Sequence, residues 1–600
     1  MGWRKGIPVV KQGQGLRPGL RLGPGLGLRQ GLRPGLLVLL CCLALCPADV
    51  QGDKVLVMPV DGSHWLSMKL LVKELAARGH EMVVLVPDTS ILIQGSDYYR
   101  TETFRVPYSK AQLDENVNKL KDAAFLKAPD VMDIFVNVQH LVHFTTMQMK
   151  GCEGLLYDEP LMKRLRGERF HMMLTDPFLP CGSIIADSFN IPVVYFSRGI
   201  PCGLDEKAAQ CPTPPSYVPR LFSGNTDHMD FLGRVKNMLM YSLESYLCTV
   251  MFASFDELTS RYLEKDMTYR ELLGHGAIWL LRYDYSFEYP KPRMPNMVNI
   301  GGINCGKRAP LPAVSLIRVY FRTNNFNCGK RAPLPAVSLI RVYFRTNNFN
   351  CGKRAPLPAD LQEFVDESGE DGFVVFTLGS MISQMPEEKA KQFFDAFSKI
   401  PQRVVWRYTG VVPENTPDNV RLMKWLPQND LLGHPKVKAF ITHGGTHGIY
   451  EGICNSVPMV MLPLFGDQSD NVHRMAVRGV GEVLTLFDIT SEKLVEALNK
   501  VINDKSYKEK MLKLSAVHKD RPIEPLDLAV FWAEFVMRHG GAEHLRPAAH
   551  DLNWIQYHSL DVFTLLLTIV LIVVMVTVKC CKVCFRKCCG TKKTMKKKKE

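Results

Sequence analysis

The sequence predicts an α/β protein of two doubly wound parallel sheets facing each other across a cleft, followed by a C-terminal transmembrane helix. Three observations carry that reading. The stretch "DKVLVMPVDGSHWLSMKLLVKELAARGHEMVVLVPD" at 53–88 runs strand, glycine-containing turn, amphipathic helix, turn and strand, which is one βαβ unit. The order returns in "FHMMLTDPFLPCGSIIADSFNIPVVYF" (170–196) and, in the second half, in "GFVVFTLGS", "RVVWRYTG" and "KAFITHGGTHGIYEGICNSVPMVMLPLFGDQ" (438–468). Third, "VFTLLLTIVLIVVMVTV" at 562–578 is 17 uncharged, mostly apolar residues, the short end of what spans a bilayer. Facing sheets of this kind put a ligand crevice at the C-terminal ends of their strands. A chain of 600 residues, 46% of them hydrophobic, is long enough to give each sheet its own core.

Taken in order, residues 1–52 read as an atypical leader. "PGLLVLLCCLALCPADVQG" (34–52) has the apolar core and small residues of a cleaved signal peptide, preceded by bases. The Gly/Leu/Arg/Pro-rich run before it, with "GLRPGL" at both 15 and 31, is too long for an ordinary leader start. It reads as translation from an upstream start codon or as a disordered segment that is removed. The first lobe then occupies 53–303 and the second 360–520. Between them, 304–359 is a linker in which "CGKRAPLPAVSLIRVYFRTNNFN" (305–327) recurs unchanged at 328–350 and begins again at 351. Functional repeats drift as each copy packs differently, so identical copies point to a tandem duplication or a misassembled gene. The membrane helix takes 559–578. The tail, 579–600, holds ten Lys or Arg against one acid, and the positive-inside rule places it in the cytosol and the bulk of the chain in the lumen. Lys597 and Lys598 fit a dilysine address for endoplasmic-reticulum membrane proteins, although a solvated charge run explains them too.

The formal charge of +14 does not describe a nucleic-acid binder. The bases concentrate in residues 1–36, 304–359 and the tail, and what remains is acidic. Of 17 cysteines, three lie in the leader and five in the tail (Cys580, Cys581, Cys584, Cys588, Cys589), where juxtamembrane thiols are candidates for palmitoylation. The other nine show no metal-ligand spacing. Cys202 and Cys211 flank a short polar loop and can pair, or can remain unpaired small core residues.

One stretch, "FITHGGTHGIYEG" at 440–452, poses a choice of chemistry. His443 and His447 have the spacing with which a zinc-binding helix grips its metal, but that pattern needs an unbroken helix and a Glu beside the first His. Gly444 and Gly445 follow His443 directly after the β-type run "KAFI". The stretch therefore reads as strand, glycine turn, then a helix opening near Thr446, which offers backbone N–H groups to an anion and predicts no metal.

"WLPQNDLLGHP" (425–435), "THGGTHGIYEG" (442–452) and "PLFGDQSDN" (463–471), in that order and spacing, resemble the donor-sugar signature of UDP-glycosyltransferases. With "DGSHWLSM", "LTDPFLPC", "PLDLAVFWAEFVMRH" and "HLRPAAHDL", the chain from about Lys54 to the tail resembles the UDP-glucuronosyltransferases, closest to the bilirubin- and phenol-conjugating subfamily. The resemblance implies a GT-B fold of two Rossmann-like lobes, an N-terminal acceptor-binding lobe and a C-terminal UDP-sugar-binding lobe, with a helical segment at 521–558 returning to the first lobe. It further implies that Trp425 stacks on uracil, Gln428 bonds the nucleoside and Glu451 accepts the ribose hydroxyls. His443, Gly448 and Ser380 would hold the diphosphate, and Asp467 and Gln468 the sugar hydroxyls. His447 stands where many members of the wider family carry Asn; the resembled subfamily has His.

The acceptor half supplies the base. His64 follows the strand "KVLVMPV" at the turn into a helix, and Asp176 ends the strand "HMMLT" at the corresponding edge. A neutral His oriented by a carboxylate takes the proton of a phenol, alcohol or carboxylic acid as that oxygen attacks the anomeric carbon. Attack from the opposite face inverts an α-linked UDP-sugar to a β-glycoside. The expectation is therefore an inverting hexosyltransferase with no cofactor, UDP-glucuronate as co-substrate, and small lipophilic acceptors. It acts from the endoplasmic-reticulum membrane as a single-pass type I protein, alone or in oligomers with related enzymes. A transferase using another UDP-hexose and a non-catalytic lumenal binding protein remain the alternatives. The Met- and Phe-rich "FVNVQHLVHFTTMQM" (135–149) reads either as a wall of a wide apolar pocket or as a plain core helix.

Overall fold

The computed structural model describes residues 52–126, 131–306 and 356–589. The leader, the tandem repeat and the dilysine end therefore lie outside the described residues. Thirteen strands form two sheets, each wholly parallel among the described residues. The first joins β1 (Lys54–Met58), β2 (Glu81–Pro87), β3 (Arg100–Phe104), β4 (Met172–Thr175), β5 (Val193–Ser197), β6 (Ile278–Leu281) and β7 (Met297–Asn299) in the order β3-β2-β1-β4-β5-β6-β7. The second joins β8 (Phe373–Thr377), β9 (Arg403–Arg407), β10 (Val420–Met423), β11 (Val437–Thr442), β12 (Met459–Met461) and β13 (Gly481–Val483) in the order β10-β9-β8-β11-β12-β13. Both sheets grow outward in two directions from a central strand, the doubly wound arrangement in which ligands gather where the order reverses. In the first sheet that point lies between β1 and β4, with Met58 level with Thr175. In the second it lies between β8 and β11, with Thr377 level with Thr442.

The apolar runs become strands covered on both faces. Along β1, Leu56 and Met58 enter one core and Val55 and Val57 the other. The second core is closed by α1 (Ser63–Ala77), which buries Trp65, Met68, Leu71 and Leu75. The opposite core receives α2 (Val131–Leu156), α3 (Cys181–Phe189) and the inner half of α4 (Phe231–Leu263), through Leu155, Ile184 and Phe255. In the second lobe, α5 (Gln428–Leu432), α6 (Thr446–Cys454) and α7 (Gln468–Val477) follow strand ends at the cleft.

After α8 (Lys505–Lys519) the chain returns to the first lobe. There α9 (Pro525–His539) buries Ala529, Val530, Ala533 and Val536 in the core that α1 covers. At this crossing the buried His518 lies 3.2 Å from Asp284 and stacks on Tyr450. The Cys305–Cys454 disulfide ties the end of the first lobe to α6. Two further disulfides, Cys152–Cys181 and Cys202–Cys248, staple the first lobe. Of the two alternatives for Cys202 and Cys211, their pairing is excluded: Cys202 lies against α4, its Cα 5.9 Å from that of Cys248, and Cys211 stays buried and unpaired beside the Pro292 carbonyl. Last, α10 (Leu560–Cys589) is exposed along its described length and holds an 18-residue stretch with a mean hydropathy of 2.7, the composition of a helix that lies in lipid. Its helical turns continue well past Val578, where the sequence ends the apolar span.

Candidate active site

The first half of the site forms at the β1/β4 reversal. β1 runs through the turn at Asp61 and Gly62 into α1, and Gly62 adopts φ 84°, a conformation that an L side chain would strain. Asp61 accepts from the backbone of Ile91 and Leu92 and from the Ser90 hydroxyl, which fixes the turn. His64, second in α1, is thereby held at the strand ends. Its Nδ1 lies 2.6 Å from Oδ2 of Asp176, the residue directly after β4. Asp176 is nearly buried, and its other oxygen accepts from the Phe178 N–H. A carboxylate fixed this way sets the imidazole's tautomer and leaves Nε2, on the partly exposed side, to take a proton. Beside the pair opens an apolar cavity lined by Met58, Phe104, Phe144, Leu179 and Met381, with Phe178 in contact with the His64 ring. Residues 144–152 of α2 form one wall, so the pocket reading of "FVNVQHLVHFTTMQM" holds for its described end.

The second half forms at the β8/β11 reversal. β11 ends at Thr442, the chain turns through Gly444 at φ 82°, and α6 opens at Thr446 as the glycine pattern predicts. A Cβ on Gly445 would collide with the His443 ring, and one on Gly379 would lie 2.7 Å from it. That close packing leaves His443 only partly exposed, pushes its pKa down to about 4 and keeps it neutral, with its Nδ1 buried and unpartnered. The histidines four apart therefore diverge: His447 turns away, its Nε2 3.2 Å from Glu451. The other Glu451 oxygen accepts from the Gln428 amide at 2.6 Å. Gly448 sits in the first turn of α6, where N–H groups have no helical acceptor, and packs on Phe440 and Thr442. Ser380 ends the β8 turn, whose carbonyls at Ser380 and Ile382 accept from Arg407. That guanidinium also lies 5.1 Å over the ring of Trp425, which is half exposed. Asp467 precedes α7 at the cleft edge. Gln468 is buried with its carbonyl oxygen on the backbone N–H groups of Leu464 and Phe465.

Three residues that the sequence reading did not single out join the halves. Ser67, on the buried side of α1, lies 3.0 Å from Nδ1 of His447 and accepts from Arg282 at 2.9 Å, so a hydrogen-bonded chain crosses from one lobe to Glu451 in the other. Arg198 follows β5 and lies 2.6 Å from Glu288 and 3.8 Å from Asp467. Burial opposes its charge, but Glu288 and the nearby Tyr283 and Asp467 outweigh burial and hold it cationic. Arg282 follows β6, one register step from Arg198, and is buried. It makes no ion pair among the described residues, and its Nε has no partner. Burial, only partly offset by Asp176 and Asp467, pushes its pKa down to about 10. The sequence signal was there: "YFSR" and "WLLR" each end an apolar strand on an arginine.

A family model described as "UDP-glucoronosyl and UDP-glucosyl transferase" matches residues 53–321 and 333–595. The chain is similar to a UDP-glucuronosyltransferase of Pleuronectes platessa, 51% identical over 515 residues, which is 85% of this chain and 99% of that protein. It is similar to UDP-glucuronosyltransferase 1A1 of Homo sapiens, 46% identical over 560 residues, 93% of this chain and 96% of the other. Among solved structures it is similar to a UDP-glucosyltransferase from Polygonum tinctorium in complex with 3,4-dichloroaniline, at 14% identity and a TM-score of 0.49, over 82% of this chain and 100% of that one.

Proposed function

The chain belongs to this UDP-sugar transferase family and is a glycosyltransferase, and on that premise we propose how its own residues perform the reaction. The enzyme moves glucuronic acid from UDP-glucuronate to a hydroxyl or carboxyl oxygen of a small lipophilic acceptor, with inversion to the β-glucuronide. The observation that carries this reading is the Ser67–His447 hydrogen bond. It links α1, which also carries His64, to α6, which also carries Glu451.

An acceptor in the apolar cavity presents its oxygen to Nε2 of His64, which takes the proton as the oxygen attacks; Asp176 steadies the imidazolium that forms. Glu451 takes the ribose hydroxyls, Trp425 the uracil face, and the diphosphate meets the first turn of α6, Ser380 and the unpartnered Nδ1 of His443. Asp467 and the Gln468 amide take sugar hydroxyls. Arg282, a buried cation without an anion, takes the carboxylate that separates glucuronate from neutral hexoses. The reaction needs no resident cofactor, since the donor is a co-substrate. The enzyme sits in the endoplasmic-reticulum membrane with α10 as anchor and both lobes lumenal.

Membranes carrying the chain, given UDP-glucuronate, UDP-glucose, UDP-galactose and UDP-xylose with a simple phenol and read by product mass, test this. A glucuronide is expected, and Arg282→Gln should raise the KM for UDP-glucuronate but not for UDP-glucose. A hexoside from wild type would move the enzyme to another donor.

A further inference from the structure

The thiols beyond the membrane span have no part in the reaction described above. The apolar run 562–578 holds 17 residues, and at about 1.5 Å per residue it covers roughly 25 Å, short of the hydrocarbon core's about 30 Å. In α10 the helix does not stop there; it continues through Lys579 to Cys589. That continuity gives the cysteines an arrangement that composition alone does not. At about 100° per residue, Cys580, Cys584, Cys588 and Cys581 fall within a single arc of about 100°, and all four are exposed and unpaired. Lys579, Lys582 and Arg586 gather within about 60° on the opposite side, while Lys587 borders the thiol arc. Cys580 and Cys581 sit where the apolar run falls short of the core. Cys584 and Cys588 follow at steps of about 6 Å through the headgroup layer.

We propose that this face is a site of S-acylation by long-chain acyl groups. The thiolate of Cys580, Cys581, Cys584 or Cys588 attacks the carbonyl carbon of an acyl-coenzyme A thioester. A new carbon–sulfur bond forms, the old one breaks, and coenzyme A leaves as a thiol carrying the proton the cysteine gave up. The exchange is isoenergetic in bond type and involves no oxidant or reductant. The attached chains fold back into the acyl layer and extend the short span on one side, and the basic side meets anionic headgroups.

The test uses the full chain in intact cell membranes. Free thiols are blocked with N-ethylmaleimide, thioesters are cleaved with neutral hydroxylamine, and the released thiols are tagged with maleimide-polyethylene glycol. The expected result is a hydroxylamine-dependent ladder that loses a rung with each of Cys580→Ser, Cys581→Ser, Cys584→Ser and Cys588→Ser. It should vanish when all four are changed, with glucuronidation of a phenol unchanged and Cys589 left in place as a control. Wild type that shows no hydroxylamine-dependent shift overturns the proposal, as does a ladder that survives the fourfold change. If the fourfold variant fails to accumulate, incorporation of alkynyl palmitate into wild type and into the Cys584→Ser/Cys588→Ser pair decides between the same outcomes.

Discussion

Both sheets reverse their winding beside the first strand of their lobe, and the two reversals hold opposite kinds of chemistry. At the first, a partly exposed histidine leans on a buried carboxylate beside an apolar cavity, an arrangement suited to moving a proton. At the second, a histidine packs closely on Gly379 and Gly445 and is kept neutral just before the first turn of α6, an arrangement suited to binding. One topology therefore supplies two crevices, and the side chains at the strand ends decide what each does.

If that division is real, chemistry and donor binding come apart under mutation. The largest effect is expected at His64: His64→Ala should lower turnover by about 10²- to 10⁴-fold, the usual worth of a general base, with donor affinity nearly unchanged. Asp176→Asn should act in the same direction. Turnover on a phenol at saturating donor checks it, and normal turnover in His64→Ala would remove the base from the first lobe. Next comes the mirror case. Glu451→Ala removes a charge-assisted acceptor and should weaken UDP binding by about 10- to 100-fold, read by calorimetry, with little loss of turnover at saturation.

How much of this was written in the sequence depends on the range of the interaction. The βαβ units were legible because apolar strands and glycine turns are local patterns, and the start of α6 at Thr446 followed from two glycines. The His64–Asp176 pair was legible because each residue ends or follows a recognisable strand. Arg282 was not, because an arginine after a strand looks the same whether it meets solvent or a buried cleft. The partner of Cys202 was not, because Cys248 is brought near only by the packing of α4. Gln468 was placed on the sugar by resemblance, yet half of its amide is used to hold its own loop. The return of α9 to the first lobe rested on resemblance alone, since its apolar face fits either lobe.

A smaller, pH-dependent effect separates the two histidines again. The folded-state pKa of His443, about 4, lies below the ordinary 6.5, because burial disfavours the cation. Between those values the unfolded chain binds the proton more readily. The stability that neutral His443 supports is therefore present above pH 6.5 and lost as pH falls toward 4. At pH 5.5 the loss is on the order of 1 kcal/mol relative to neutral pH. Thermal inactivation of detergent-solubilised enzyme should show this slope, and His443→Gln, which cannot titrate, should flatten it. An unchanged slope in that variant would assign the acid sensitivity to other groups such as His518, whose pKa burial also lowers.

The smallest expected effect bears most directly on the comparison, because it concerns a hydrogen bond that links the two halves. Ser67 accepts from Arg282 and bonds Nδ1 of His447, whose Nε2 meets Glu451. Ser67→Ala removes a hydroxyl from this chain while leaving His64, Asp176, Glu451 and Gln428 in place. A net hydrogen bond is worth about 0.5–1.5 kcal/mol, so the KM for UDP-glucuronate should rise by about 2- to 12-fold. Turnover at saturation should stay close to wild type, since proton transfer at His64 does not pass through Ser67. The direction follows from what Ala leaves behind: His447 loses its fixed orientation, and its hold on the ribose-binding carboxylate loosens. If KM is unchanged, the other links between the lobes, among them Arg198–Asp467 and the Cys305–Cys454 disulfide, hold the register without Ser67. If turnover falls as far as in His64→Ala, Ser67 positions the base, and the division between a chemical lobe and a binding lobe fails at its seam.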